Sequence, residues 1–254
     1  EDGRLFGILN GCEYVEDRTL PVCDQQSWLK LLDELLNEVS RWYRKSGSFR
    51  HWLAVQRLTE WKQSNRPRPS VVMTSVTRVV DQKVRLMRVP KSPSPLDRIL
   101  EQSGDDVVYL LAGSGDRSDE AFLDKAARRH PNLIFLNGYS QSGADALYKY
   151  GDLFLMPSAF EPCGISQMLA MRDGQPCVVH SIGGLKDTVQ DNVTGFSFEG
   201  STPDELGTGF VECTARAIAC CTNDRPHFEA IRQRAFDTRF LWQDSVREYL
   251  KNLY

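Results

Sequence analysis

Val107-Val108-Tyr109-Leu110-Leu111-Ala112-Gly113-Ser114-Gly115-Asp116 is an unbroken apolar run that ends in a glycine turn and gives way to an amphipathic stretch, Asp119–Arg129. A continuous β-branched and aliphatic run marks a strand buried on both faces, as parallel strands are. A glycine turn followed by a helical pattern completes a βα unit. The same pattern recurs on both sides. It predicts strands at Val71–Val76, Val107–Ala112, Leu133–Leu136, Leu153–Met156 and Cys177–Val179, and helices at about Pro95–Gln102, Asp119–Arg129, Gly143–Tyr150 and Gly164–Asp173. Asp187–Gln190 reads as a short turn, and Gly138, Gly151 and Gly174 stand where elements should break. The fold class that follows is α/β, a doubly wound parallel sheet.

The flanks differ from this middle. Leu5–Gly11 reads as a short strand into a turn, and Trp28, Leu32, Leu35, Val39 and Trp42 then recur on one face of a helix. A second helix is predicted from about Ser48 to Lys62, and Lys45-Ser46-Gly47 between the two makes an antiparallel helical hairpin. Pro67 and Pro69 reset the chain before the first sheet strand, so residues 1–66 are set apart from 67–254. Beyond Gly200 the pattern is helical: Asp204 can cap one helix, and Asn223–Pro226 interrupts. Trp242, Val246, Tyr249, Leu250 and Leu253 form a stripe at helical spacing, read as packing.

Composition bounds the function. With 254 residues, 41% hydrophobic and 26% charged, the chain is of globular type, and a net charge of -3 gives no reason to expect nucleic acid. Charge is uneven: residues 41–100 hold fourteen Lys or Arg against three acids, and residues 1–40 hold three against nine. Most of these cations read as a solvated face, and a few are free to meet phosphate. Seven scattered cysteines without a C-x-x-C imply a reducing compartment, and no apolar run approaches a membrane span. His51, His130, His180 and His227 lack ligand spacing, so no metal is expected.

Two segments carry the chemistry. Phe160-Glu161-Pro162-Cys163-Gly164 and Ser181-Ile182-Gly183-Gly184-Leu185-Lys186-Asp187-Thr188 are glycine-bearing turns before helices, where unpaired N–H groups and the positive end of the helix dipole attract anions. Glu161 between them can cap a helix, sit as a buried structural carboxylate, or accept from sugar hydroxyls. Arg78 and Lys83 follow the first strand, where open parallel sheets bind ligands, and two cations there can neutralise a pyrophosphate. On their own, such cations are more often surface charges. Gly113 and Gly115 read equally well as turn formers or ligand contacts, and a lone tyrosine such as Tyr139 usually packs. Gln56-Arg57-Leu58-Thr59-Glu60-Trp61-Lys62 imitates the Arg78–Lys83 spacing, but no strand precedes it, and it reads as a solvated helical face.

FEPCGISQ followed by GGLKDTV resembles the bacterial glycogen synthase and plant starch synthase family, whose members carry FEPCG, then Gln, then GGL-x-DTV. The resemblance extends to ILNG at residues 8–11 and to a strand end reading S-R-L-x-x-Q-K-G, matched by Arg78, Gln82 and Lys83, with Val84 in place of the family's glycine. It continues from about Val107 through Phe198 to the terminal FLWQDSVREYLKNLY. It implies a GT-B architecture of two Rossmann-like domains, this chain being the C-terminal, donor-nucleotide half. Residues 1–66 would be interdomain linker plus an added hairpin, and 67–254 the nucleotide-sugar domain.

By resemblance, Arg78, Lys83 and Glu161 are the catalytic residues, the first two on the donor phosphates and the third on the hydroxyls of the transferred sugar. Asn10, Gly113, Gly115, Tyr139, Cys163, Gly164, Ile165, Ser166, Gly183 and Gly184 are the donor-binding residues, with Tyr139 stacked on adenine. Leu169 stands where wider relatives carry a second Glu, which fits the narrower family. The implied reaction moves glucose from ADP-glucose to the non-reducing end of an α-1,4-glucan with retention, without metal or other cofactor. The expected partners are the nucleotide sugar, the glucan and an N-terminal half bearing K-x-G-G-L and the catalytic His, neither of which occurs here. Without that half the chain is expected to bind donor and not to elongate, and the terminal stripe of Trp242, Val246, Tyr249 and Leu253 is expected to be partly exposed where that half would sit, favouring self-association. Neither nucleic acid nor membrane is expected, and the implied location is cytoplasmic, or plastidial in a plant. Two alternatives stand: a nucleotide-sugar transferase of sucrose-synthase or trehalose type, and a non-catalytic nucleotide-sugar-binding module.

Overall fold

The computed structural model describes residues 7–15, 17–64, 66–89 and 92–253. Six parallel strands form one sheet: β1 Val71–Val76, β2 Val107–Gly113, β3 Leu133–Asn137, β4 Leu153–Met156, β5 Cys177–His180 and β6 Gly195–Phe198. Their order is β3-β2-β1-β4-β5-β6, so the chain winds outward one way from β1 and then returns to wind the other way from β4. This order places a crevice at the carboxyl ends of β1 and β4, where the direction of winding switches.

Side-chain alternation builds two cores. Val71 and Met73 of β1 and Tyr109 and Leu111 of β2 face one layer, with Leu123 of α5 (Arg117–Arg129), Phe210 of α9 (Pro203–Asn223) and Phe228 of α10 (Arg225–Asp237). Val72 and Val76, with Val108 and Leu110, face the opposite layer, as period-two alternation requires. That second layer is supplied largely by the hairpin, α1 (Gln25–Ser46) and α2 (Phe49–Gln63). Asp24 accepts from the Ser27 N–H to start α1, Gly47 at φ 62° ends it, and Ser48 caps α2. Leu31, Leu32, Leu35 and Leu58 are buried, each worth roughly 2 kcal/mol of apolar transfer. Trp28 meets Trp61 edge-on at 5.7 Å. The hairpin is therefore part of the sheet's covering.

Five strands and the helices between them fall where the sequence puts them, to within a few residues. Two elements were missed. Helix α3 (Asp81–Arg88) is short and polar, and only Val84, Leu86 and Met87 of it are buried. Strand β6 is a four-residue edge strand in which all but Ser197 are buried, too short for a periodicity to register. Asp187–Gln190, expected as a turn, is the end of a five-residue helix, α8 (Gly184–Thr188), and the residues after it.

Two further expectations are corrected, and the terminal stripe, read as packing but expected to be partly exposed in the absence of a second half, is open. Residues 7–11 form no strand; they are an irregular tether in which Asn10 N–H donates to Cys163 Sγ (3.3 Å) and Leu9 accepts from Ser245 Oγ (2.6 Å). Leu5 and Phe6 of that expected strand lie outside the described residues. Arg57 does not sit on a solvated face: its guanidinium donates to the carbonyls of His130 (3.0 Å) and Leu133 (2.5 Å), tying α2 to the start of β3. The terminal stripe lies on α11 (Trp242–Leu253) and is largely open, with Trp242, Val246, Tyr249 and Leu250 all exposed; Leu253's side chain lies outside the description.

Candidate functional site

The Glu161 loop leaves β4 through Pro157 and Ser158 and is clamped from both sides. On the α3 side, Ala159 N–H donates to the Gln82 carbonyl (2.8 Å) and Gln82 Nε2 donates to the Phe160 carbonyl (2.7 Å). From beyond β5, the Gly184 N–H donates to the Glu161 carbonyl (3.0 Å). A side chain at Gly183 would overlap that carbonyl, and one at Gly184 would overlap the Cys163 carbonyl. The two glycines are thus required for the GGL turn to lie against the FEPCG loop. Gly184's N–H is spent on that contact and is not left for an anion.

Lys83 and Glu161 meet across the crevice as a buried ion pair, with side chains 11% and 9% exposed. Ser158 Oγ stands beside both, 3.4 Å from Lys83 Nζ and 3.5 Å from Glu161 Oε2. Burial, with the Arg78 charge adding to it, pulls the Lys83 ammonium down to about 8. The contacting carboxylate acts in the opposite direction and favours the charged pair. Arg78 is exposed and pairs with no acid among the described residues. The two cations, expected to act alike, differ: one is held within the protein and one faces outward.

At residue 84, where the resembling family has glycine in its phosphate turn, the chain starts a helix. Val84 N–H donates to the Val80 carbonyl (3.1 Å), and the Val84 side chain is fully buried in the core. Valine here anchors α3, and with it Lys83, to the interior.

Gly113 and Gly115 lie against the segment that follows β1: side chains there would overlap the carbonyls of Thr77 and Val79. The Gly115 N–H is taken by Glu120 Oε1 (2.9 Å). Glu120 also accepts from Arg50 Nη1 (2.7 Å) and Asn137 Nδ2 (2.9 Å), so α2, β3 and the glycine turn share one carboxylate. Burial pushes the Glu120 carboxyl up, but the Gly115, Asn137 and Arg50 donors outweigh it and hold the group below its ordinary range. Tyr139, past the end of β3, is 61% exposed, with its hydroxyl on Gln141 Oε1 (2.7 Å). Just before it, Gly138 lets the Trp42 ring of α1 approach, since a Cβ there would lie 3.0 Å from that ring.

The helix expected from Gly164 is α7 (Ser166–Arg172), which begins two residues later and has only seven residues. No acceptor among the described residues takes the N–H groups of Cys163, Gly164 or Ile165, so the donors at this edge belong to the loop. Gln167 Nε2 braces that loop through the carbonyls of Cys163 (3.0 Å) and Gly164 (3.1 Å). Cys163 Sγ holds the Asn10 backbone, which is how the N-terminal tether reaches the site.

Every residue proposed from the sequence thus stands at the carboxyl edge of the sheet or on the tether that reaches it. Arg78, Lys83, Glu161 and the 163–166 loop gather at the switch point, and Tyr139 stands two strands away. Ser158, His180, Trp42 and Glu120 were missed. Only Ser158's place immediately before the FEPCG loop pointed to it. Among the described residues, no three His, Cys, Asp or Glu side chains gather as metal ligands.

A doubly wound parallel sheet with a lysine and a carboxylate paired at its switch point is the architecture of a Rossmann-like domain of the GT-B glycosyltransferases. Residues 92–212 match the family model for glycosyl transferases group 1, so the chain carries a domain of that family. It is similar to glycogen synthases: 32% identical over 96% of its length to that of Aeromonas salmonicida, and 36% over 98% to that of Deinococcus deserti. It spans 46% and 48% of those proteins, about half the length of the curated relatives it matches. Among solved structures it superposes on the catalytic domain of starch synthase IV from Arabidopsis thaliana, bound to ADP and acarbose, with a TM-score of 0.62. The identity there is 26%, over 79% of this chain and 41% of that one. Anabaena HepE in complex with UDP-glucose gives a TM-score of 0.57 at 20% identity, over 89% and 54%, a likeness of fold. No helix among the described residues is long and apolar enough to cross a membrane.

Proposed function

We propose that this chain is the donor-binding half of a retaining glycosyltransferase that moves glucose from ADP-glucose to the non-reducing end of an α-1,4-glucan. The observation that carries this is the Lys83–Glu161 pair at the switch point, one residue suited to phosphate and the other to sugar hydroxyls, within bonding distance of each other. Cleaving the glycosidic bond develops negative charge on the departing diphosphate, and charge stabilised at that moment lowers the barrier. Arg78 and Lys83 supply the cations, the N–H groups of residues 163–165 supply neutral donors, and Tyr139 offers an open aromatic face to the base. The donor is the only small molecule this reading requires. Glu161 accepts from the hydroxyls of the transferred glucose.

Acceptor and the remaining catalytic groups come, in this reading, from a second Rossmann-like half, supported by the chain matching about half of each relative. The division of residues 1–66 as linker and hairpin from 67–254 as donor domain belongs to the same reading, with the qualification that the hairpin is packed into the sheet's core. Seven free thiols support a reducing compartment such as cytoplasm or plastid stroma.

Calorimetric titration with ADP, ADP-glucose, UDP and UDP-glucose tests the reading. ADP-glucose should bind more tightly than UDP-glucose. Equal or reversed preference overturns the adenine assignment, and binding of none of the four overturns the donor site itself.

A further inference from the structure

We propose that Ser158 is a positioning residue of the donor site, whose hydroxyl takes over the Glu161 carboxylate when a diphosphate draws Lys83 away. The inference rests on the donor-site reading and extends it to a residue and a coupling that the sequence did not single out. Ser158 is buried at 1% exposure on the loop after β4. Its Oγ accepts from Lys83 Nζ at 3.4 Å and donates to Glu161 Oε2 at 3.5 Å, both at the outer edge of hydrogen bonding. While ammonium and carboxylate hold each other, the hydroxyl is a secondary partner to each.

Its backbone is fixed. The Ser158 carbonyl accepts from His180 Nδ1 at 3.0 Å, which requires the tautomer with hydrogen on that nitrogen, and the next residue, Ala159, is bonded to Gln82. His180 is itself buried and stacks on Phe198 at 5.6 Å with 19° between the rings. A loop pinned this way leaves the Ser158 hydroxyl one free motion, rotation about its own side-chain bond.

An anion that competes for Lys83 strips the buried carboxylate of its cation, and a buried charge without a donor is costly. The Ser158 O–H is a donor already within reach. By turning fully onto Oε2 it keeps Glu161 ionised and oriented toward sugar hydroxyls while Lys83 serves the phosphate. Phosphate and sugar recognition are then coupled through one hydroxyl, with His180 holding the loop from behind.

The test is calorimetric titration of the full 254-residue chain with ADP and with ADP-glucose, as parent, Ser158→Ala, His180→Ala and His180→Asn. Ser158→Ala should lower ADP-glucose affinity by about tenfold, the loss of one hydrogen bond to a charged group, and leave ADP within about twofold. His180→Ala should shift the same ratio in the same direction, and His180→Asn, whose amide N–H can replace Nδ1–H, should restore it. A purely structural role would weaken both ligands together and show no rescue by Asn. An unchanged ADP-glucose to ADP ratio in Ser158→Ala overturns the inference and leaves the donor-site reading standing; a parent chain that binds neither ligand overturns both. A second measurement needs no ligand: Ser158→Ala should lower the melting temperature more in a Lys83→Met background than in the parent, because the hydroxyl is then the carboxylate's nearest donor. Additive effects would also overturn the proposal.

Discussion

Replacing Lys83 with Met keeps most of the buried stem and deletes the charge, which isolates what the ion pair contributes. Both side chains are about nine-tenths buried, so the change leaves Glu161 as a buried carboxylate whose nearest side-chain donor is a hydroxyl at 3.5 Å. Breaking such a pair from one side costs about 3–5 kcal/mol. The penalty has a ceiling, because Glu161 can escape by taking a proton; from an ordinary Glu pKa, that costs about 3.7 kcal/mol at neutral pH. A loss of about 3 kcal/mol is therefore expected, or roughly 6–12 °C in melting temperature for a chain of this length. Adding Glu161→Gln removes the stranded charge and should recover most of the loss. The pH dependence has a definite sign: in Lys83→Met the folded-state pKa of Glu161 is raised, so the unfolded chain releases that proton first as pH rises. The deficit must grow with rising pH through the carboxylate range and shrink in acid. Urea unfolding of parent, single and double variants at about pH 7 and about pH 4.5 measures all three effects. A single variant as stable as the parent at neutral pH, or a double variant no better than the single, would refute the reasoning.

Arg78→Ala should leave the melting temperature unchanged, since the side chain is exposed, and weaken ADP binding by roughly one to two decades; titration and a melt on the same sample decide it. Val84→Gly, which restores the residue usual in the resembling family, should destabilise by about 3 kcal/mol, from a core cavity plus a glycine inside a helix, read as a lower urea midpoint. Gly183→Ala should disturb the Glu161 carbonyl it would overlap, lowering both stability and ADP-glucose affinity; unaltered binding would mean that the turn has no part in placing Glu161. Glu120 is held below its ordinary pKa, so its stabilisation is complete above the unfolded value and is lost as pH falls through the folded one. In Glu120→Gln, unfolding midpoints compared across about pH 6 to 3 should lose that part of the acid sensitivity.

The strands were legible because burial on both faces leaves no polar alternation, and a run such as Leu153–Met156 between turn residues has few other readings. Helix α3 and strand β6 were not, since eight and four residues are too few for a periodicity to rise above composition. The hairpin's existence was readable from Trp28, Leu32, Leu35 and Val39; its docking onto the sheet was not, because amphipathicity shows that a face is buried and not what buries it.

The sequence by itself determined the winding of the sheet, the glycine turns at its carboxyl edge and the chemical types that converge there, because local pattern and residue chemistry are written in order along the chain. Tertiary structure decided how those groups are shared. Lys83 and Glu161 lie 78 residues apart yet neutralise each other, Gly184 spends its N–H on a carbonyl instead of an anion, and Val84, in place of the family's glycine, anchors a helix in the core. Such partnerships depend on which strand ends the fold brings side by side and how much water they exclude, and neither distance nor dielectric can be read from residue order.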